Sequence, residues 1–145
     1  IEEKIYPYSG ATDFEENIKN ILALDPEELK RDAIKYINNH SNIYCFCKDS
    51  AERYLERYRG KLRLIINRPS LIISCDKEPI PGWCDSISAA GAFAYPAGLG
   101  LASRFFLPNQ HMDLIPADIV CASVLVTTCW AAKTPTPEFN VFHNC

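Results

Sequence analysis

The sequence lacks the features that mark two large classes of protein. Its net charge is −3, and nucleic-acid binding proteins depend on clustered basic faces to neutralise phosphate. The strongly apolar run from Ile119 to Ala132 has 14 residues, whereas a membrane-spanning helix needs about 20. We therefore expect no nucleic-acid partner and no transmembrane segment in this chain, and we interpret the run as a helix of the core.

Cysteine is plentiful, with seven residues, but it lacks the spacing of a structural framework. There is no Cys-x-x-Cys pair, the count is odd, and no signal peptide precedes the first cysteine. Reduced and mostly buried thiols are the interpretation that this pattern favours. His143 and Cys145 lack a second pair of ligands, so we expect no metal site.

A glycine-rich turn between a strand and a helix is also missing. Such a turn supplies the backbone amides that hold a dinucleotide pyrophosphate. The chain begins at Ile1 and has 145 residues, about the length of one small domain, with 48% hydrophobic and 23% charged residues. We expect it to be a piece of a longer protein.

Helical and strand patterns alternate along the chain, which predicts an α/β protein. The Asp25-Pro26-Glu27-Glu28 sequence is typical of a helix start, with an N-cap aspartate and proline at the first helical position. Predicted helices cover about 13–24, 25–37, 42–60 and 117–132, and predicted strands cover 62–67, 71–73, 112–115 and 139–143.

Tyr44 and Lys48 are four residues apart in the third predicted helix and therefore lie on one face. A neighbouring lysine favours the phenolate and lowers the pKa of a tyrosine, which can then protonate a carbonyl that receives hydride. Taken alone, the pair is also compatible with a packed tyrosine and a solvated lysine. We expect an adjacent apolar stripe to face the core: Ile43, Cys47, Ala51, Tyr54, Leu55 and Tyr58.

A second notable segment, from Cys84 to Gly100, consists almost entirely of small and apolar residues. Its glycines, at positions 91, 98 and 100, allow close approach of another backbone. Either a tightly packed helix or a wall that faces a ligand would have this composition, and the sequence does not decide between them.

The order of several short motifs resembles the fatty acyl-CoA reductases of the extended short-chain dehydrogenase/reductase superfamily. After Tyr44 and Lys48 come Arg68-Pro69-Ser70, Pro81-Gly82-Trp83 and Ile115-Pro116-Ala117-Asp118. The resemblance implies the C-terminal half of a Rossmann-type domain with its substrate-binding lobe, over residues 1–145. It also implies that the dinucleotide-binding half lies upstream and that the isolated piece is inactive.

The resemblance assigns roles residue by residue. Tyr44 corresponds to the catalytic tyrosine, and Lys48 to the lysine that lowers its pKa and holds the nicotinamide ribose. Asp118 matches a structural position in the first turn of a helix. The other implied positions are Pro69 and Ser70 beside the nicotinamide of NADPH, and Trp83, Gly91 and Ala94 in the wall from Ala89 to Gly100 that lines the acyl site.

The implied whole protein reduces a long-chain fatty acyl-CoA to a fatty alcohol with NADPH, at a peroxisomal or endoplasmic reticulum membrane. Three positions depart from the family pattern, because Cys47, Leu99 and Ala122 stand where a threonine, a basic residue and an asparagine are usual. Two alternatives stay open. One is another extended reductase or epimerase, and the other is a non-catalytic relative that binds acyl chains or partners.

Overall fold

A computed structural model describes residues 2–10, 13–37, 39–87, 91–102, 104, 112–135 and 139–145, apart from the side chain of Phe93. The described residues form two compact units, 2–64 and 65–145. The elements are α1 (Phe14–Leu22), α2 (Pro26–Tyr36), α3 (Ile43–Tyr58), β1 (Leu64–Pro69), β2 (Leu71–Ile73), α4 (Gly91–Gly98), β3 (Leu114–Pro116), α5 (Ala117–Lys133) and β4 (Phe139–Asn144).

The first unit contains three helices, each of which begins at a polar cap. The Asp25 carboxylate accepts hydrogen bonds from the amides of Glu27 and Glu28 at 2.7 and 3.3 Å, and Pro26 is the first helical residue, as predicted. The Asn42 side chain accepts from the amide of Cys45 at 2.8 Å. These bonds satisfy amides that have no partner within their own helices, so they fix where α2 and α3 start.

The buried face of α3 is not the predicted one. Phe46 is only 7% exposed and meets the His40 ring edge-on, with the ring centroids 5.5 Å apart. Asp49 and Arg53, three and seven residues further along, are the half-buried neighbours on the same face. The stripe predicted to face the core was wrong, because all of its members are exposed: Ile43, Cys47, Ala51, Tyr54, Leu55 and Tyr58.

A charged network joins this inner face of α3 to the residues that precede α1. The Arg53 guanidinium donates to both carboxylate oxygens of Asp49, at 2.8 and 3.0 Å, and to the carbonyl of Tyr6 at 2.7 Å. On the other side of Asp49, His40 Nε2 lies 3.2 Å from Oδ2. His40 Nδ1 donates to the Ile37 carbonyl at 2.8 Å. The polar core of this unit therefore anchors α3 through its inward side.

The second unit holds two pairs of strands. β2 runs parallel to β3, with Leu71 opposite Leu114 and Ile73 opposite Pro116. β1 pairs with β4, and the amide of Ser70, just beyond β1, donates to the carbonyl of Asn144 at the end of β4 at 2.8 Å. Because both ends meet there, β1 and β4 also run in the same direction. Parallel pairing is typical of the α/β class that was predicted.

Helix α5 follows β3 directly and matches its predicted range within one residue. It is not the core helix that we expected, because none of its residues is buried among those described, and Leu125 is 68% exposed. Only one face, which includes Val120, Ser123 and Thr127, is half-buried. No helix in the described part of the chain is long and apolar enough to cross a membrane.

The cysteines are unpaired, as predicted, but most of them are not buried. Cys45 and Cys75 are half-buried, and the other five are exposed. An exposed free thiol has no packing role, so the burial that was inferred from cysteine's usual behaviour was wrong here.

Candidate active site

Tyr44 and Lys48 lie together on the exposed side of α3. The ammonium nitrogen of Lys48 stands over the Tyr44 ring, 5.5 Å from its centroid, and 69% of Tyr44 is exposed. The Asn42 cap places Tyr44 in the first turn of the helix, and the next turn places Lys48 above it. The pair can therefore present a phenolic proton and a nearby positive charge to one bound molecule.

Pro69 and Ser70 lie in the second unit, where β1 ends. Pro69 is exposed, whereas the hydroxyl oxygen of Ser70 is buried and has no hydrogen-bond partner among the described residues. Asn144, whose carbonyl binds the Ser70 amide, likewise has both atoms of its side-chain amide buried without partners. Buried polar atoms of this kind are costly unless a ligand, a water or another chain segment satisfies them.

Trp83 lies on a loop that leaves the end of β2 and folds back on itself. The amide of Cys75 donates to the carbonyl of Trp83 at 3.0 Å, and the amide of Gly82 donates to the carbonyl of Cys75 at 2.8 Å. Gly82 has φ +80°, a backbone conformation that favours glycine and makes the turn possible. The Trp83 side chain is 50% exposed at the base of this loop.

Asp118 lies in the first turn of α5, as predicted, but its main contacts are with the loop after β2. One oxygen of its carboxylate accepts from the amide of Asp76 at 2.9 Å, and the other accepts from the amides of Lys77 and Glu78 at 2.9 and 3.2 Å. These hydrogen bonds, led by that from Asp76, lower the pKa of Asp118 to about 2. No sequence signal pointed to them, because the donors lie about 40 residues away and are main-chain groups.

Gly91 and Ala94 belong to α4, whereas residues 88–90 of the predicted wall lie outside the described residues. A side chain at Gly91 would meet the carbonyl oxygen of Ser86 at 3.2 Å, so this glycine does permit a close approach. Among the described residues, no atom lies within 4 Å of the corresponding position at Gly98 or Gly100. The close approach at Gly91 is thus to the segment that precedes α4 rather than to another helix, and Ala94 is exposed.

In the described part of the chain, no three histidine, cysteine or acidic side chains come close enough to hold a metal ion. The candidate residues are Tyr44 and Lys48 in the unit of residues 2–64, and Ser70, Trp83 and Asp118 in the unit of residues 65–145.

Known proteins match this chain over most of its length. The pattern of the male sterility protein family of NAD-binding domains covers residues 1–124. The chain belongs to this family. Fatty acyl-CoA reductase 1 of Xenopus laevis is 30% identical over 146 aligned residues, which cover 100% of this chain and 28% of the relative. Its human counterpart is 27% identical over the same share of each chain. A Drosophila melanogaster protein, CG8306, which is provisionally named a fatty acyl-CoA reductase, is 36% identical. The alignment covers 88% of this chain and 24% of that protein.

Membership confirms the predicted fold class, a partial α/β domain of the Rossmann type, and the expectation of a nicotinamide cofactor. The chain spans about a quarter of the length of the curated relatives that it matches. No solved structure matches it.

Proposed function

We propose that this chain is the second half of the nucleotide-binding domain, with its substrate-binding lobe, of an alcohol-forming fatty acyl-CoA reductase. The substrate would be a long-chain fatty acyl-CoA, and its reduction would consume two NADPH: one for the step to an aldehyde, which releases the CoA thiol, and one for the step to the alcohol. Another part of the whole reductase would supply the glycine-rich turn that holds the pyrophosphate. The whole reductase would act at a peroxisomal or endoplasmic reticulum membrane. Family membership and the names of the matching relatives support this proposal.

The observation that carries the proposal is the placement of Lys48 over Tyr44. Reduction of an acyl group to an alcohol needs a proton for the carbonyl oxygen, and the Tyr44 hydroxyl is the exposed acid of the pair. The ammonium of Lys48, 5.5 Å from the ring centroid, stabilises the negative phenolate that remains after the proton has moved. The tyrosine thus provides the proton, and the lysine supports its loss.

Each of the two units has residues that are suited to the nicotinamide end of a dinucleotide. Bound NADPH would supply hydride to the substrate carbonyl carbon. Lys48 has three ammonium hydrogens with which it can bind ribose hydroxyls while it faces Tyr44. The buried hydroxyl of Ser70, which has no partner in the described residues, is suited to a polar group of the nicotinamide. Pro69, beside it, would border the ring.

Substitutions of Tyr44 and Lys48 in the full-length reductase test this function. Tyr44→Phe keeps the ring and removes the acid, so reduction of a long-chain acyl-CoA should fall about 10²–10⁴-fold, the usual contribution of general acid catalysis. Lys48→Ala should lower turnover and weaken NADPH binding. Lys48→Arg should restore little, because a planar guanidinium does not replace a compact ammonium.

Tyr54→Phe is the matched control, since Tyr54 lies on the same helix and its ring contacts with Phe14 and Tyr58 survive in phenylalanine. Turnover of this variant should stay normal. Thermal melts of all the variants exclude misfolding. A well-folded Tyr44→Phe enzyme with near-normal turnover would show that the Tyr44 hydroxyl is not the proton donor and would contradict the proposal.

A further inference from the structure

The loop that carries Trp83 leaves the sheet at the edge where ligands bind in this class of fold. β2 and β3 run parallel, so their carboxyl ends, at Ile73 and Pro116, lie on the same edge. In open α/β sheets, ligands occupy the crevice outside these carboxyl ends. The residues after β2 and the first turn of α5 after β3 therefore both stand at that edge.

Asp118 joins these two segments. Its carboxylate, in the first turn of α5, accepts from three successive amides of the loop, those of Asp76, Lys77 and Glu78. Charged acceptors bind amides about twice as strongly as neutral ones, and three bonds to consecutive residues leave that stretch of backbone one orientation. The side chain therefore acts as a clamp on the first half of the loop.

The second half of the loop is tied to the first. Trp83 and Cys75 are joined through the amide of Cys75, and the amide of Trp83 donates to the carbonyl of Ile80 at 3.0 Å. The backbone that carries Trp83 is thus continuous, by hydrogen bonds, with the backbone that Asp118 holds. The side chains of Ile80 and Trp83 are nevertheless more exposed than large apolar groups normally are in a core. An ordered loop that presents exposed apolar side chains is suited to an apolar ligand.

We propose that Asp118 is a positioning residue for the acyl substrate: it fixes the loop of residues 75–83 so that Trp83 is held against the acyl portion of the bound acyl-CoA. This inference depends on the function proposed above. It adds a residue that touches neither the reacting carbonyl nor the cofactor and that acts through Trp83.

The experiment is a double-mutant cycle in the full-length reductase, with Asp118→Asn, Trp83→Ala and the double variant. Asparagine matches aspartate in size, but its amide nitrogen would face an amide hydrogen of the loop, so part of the clamp is lost without a change in volume. We expect Asp118→Asn to raise KM for a long-chain acyl-CoA about tenfold, with kcat changed less than about threefold, because the interaction that is lost is one of binding. KM for NADPH should not change.

The double variant separates positioning from general structural support. If Asp118 acts through Trp83, the KM of the double variant should equal that of Trp83→Ala alone, since the clamp has nothing left to position. Multiplied effects of the two substitutions would overturn the inference. So would an unchanged KM in a folded Asp118→Asn enzyme.

Two further measurements keep the result interpretable. Asp113→Asn removes an exposed carboxylate from the same unit, outside both the loop of residues 75–83 and α5, so its kinetics should match those of the wild type. Hydrogen exchange at the amides of residues 76–78 should accelerate in Asp118→Asn, and unchanged exchange would also overturn the inference. A wild-type enzyme that reduces no acyl-CoA would instead refute the proposed function, and this inference with it.

Discussion

Arg53 is the residue whose replacement should most clearly loosen the helix that carries Tyr44 and Lys48. Its guanidinium makes two hydrogen bonds to the Asp49 carboxylate and one to the Tyr6 carbonyl, and it stands over the Tyr8 ring, 5.3 Å from the centroid. The side chains of Arg53 and Asp49 are only 12% and 24% exposed. Arg53→Met keeps most of the apolar stem and removes all three hydrogen bonds.

The expected loss of stability depends on the contacts that Asp49 keeps when Arg53 is replaced. A hydrogen bond to a charged group contributes about 1.5–3 kcal/mol, and removing one partner of a fully buried ion pair costs about 3–5 kcal/mol. The Asp49 carboxylate keeps its contact with His40 at 3.2 Å, and it is not wholly buried. We therefore expect Arg53→Met to lower the local free energy of unfolding around α3 by about 2–4 kcal/mol.

Native-state hydrogen exchange in the full-length protein measures this cost, because it reports the free energy of opening segment by segment. The amides of residues 46–53 should lose protection in Arg53→Met. Asp49→Asn should also destabilise α3. The double variant should cost less than the sum of the single ones, since the two residues share the same bonds.

Arg31→Met provides the control. Arg31 also pairs with an aspartate, Asp32, at 3.2 Å, but its side chain is exposed. Surface pairs contribute little, so exchange should not change measurably in this variant. Unaltered protection of α3 in Arg53→Met, or strict additivity of the Asp49 and Arg53 substitutions, would refute the idea that this network anchors the helix.

Two more outcomes are expected. Ala94→Trp should shorten the preferred acyl chain. It is a better probe than Gly91→Trp, because a side chain at Gly91 would collide with the Ser86 carbonyl. An unchanged chain-length preference in an active Ala94→Trp enzyme would mean that α4 does not line the acyl site. Because hydrogen bonds from the loop amides lower the pKa of Asp118 from its ordinary 3.8 to about 2, the stabilisation by this group is complete above pH 3.8 and is lost as the pH falls towards 2. The protection of the 76–78 amides, measured against their intrinsic exchange rates at each pH, should therefore fall over that interval. Equal protection in wild type and Asp118→Asn above pH 3.8 would contradict this.

Local chemistry made the element boundaries predictable. The start of α2 at Asp25-Pro26, which was predicted, depends on groups within three residues of the boundary. Such groups act through caps and through the missing amide of proline, and these effects are nearly independent of the rest of the fold. The family and the fold class followed from the order of the motifs.

Burial was less predictable, because it depends on partners that are distant in sequence. The apolar stripe of α3 was expected to face inward, yet the ion pair of Asp49 and Arg53 occupies the inner face together with Phe46. A charged residue can be buried when it is fully hydrogen-bonded, and the partner of Arg53 at Tyr6 lies 47 residues away. The three loop amides that bind Asp118 were beyond sequence analysis for the same reason.

The two faces of α3 explain how the proposed catalytic pair, Tyr44 and Lys48, can be exposed on a helix that is held in place. Successive residues of a helix are about 100° apart, so Phe46, two positions from both Tyr44 and Lys48, points to nearly the opposite side. The packing of Phe46 and the hydrogen bonds of Arg53 hold α3 through its inner face. The side chains of Tyr44 and Lys48 are not part of these contacts. Tyr44 can thus remain exposed to a substrate while its backbone is held in place. Because the two faces have separate roles, we expect Tyr44→Phe to lower turnover without changing the free energy of unfolding. We expect Arg53→Met to lower the free energy of unfolding more than it lowers turnover.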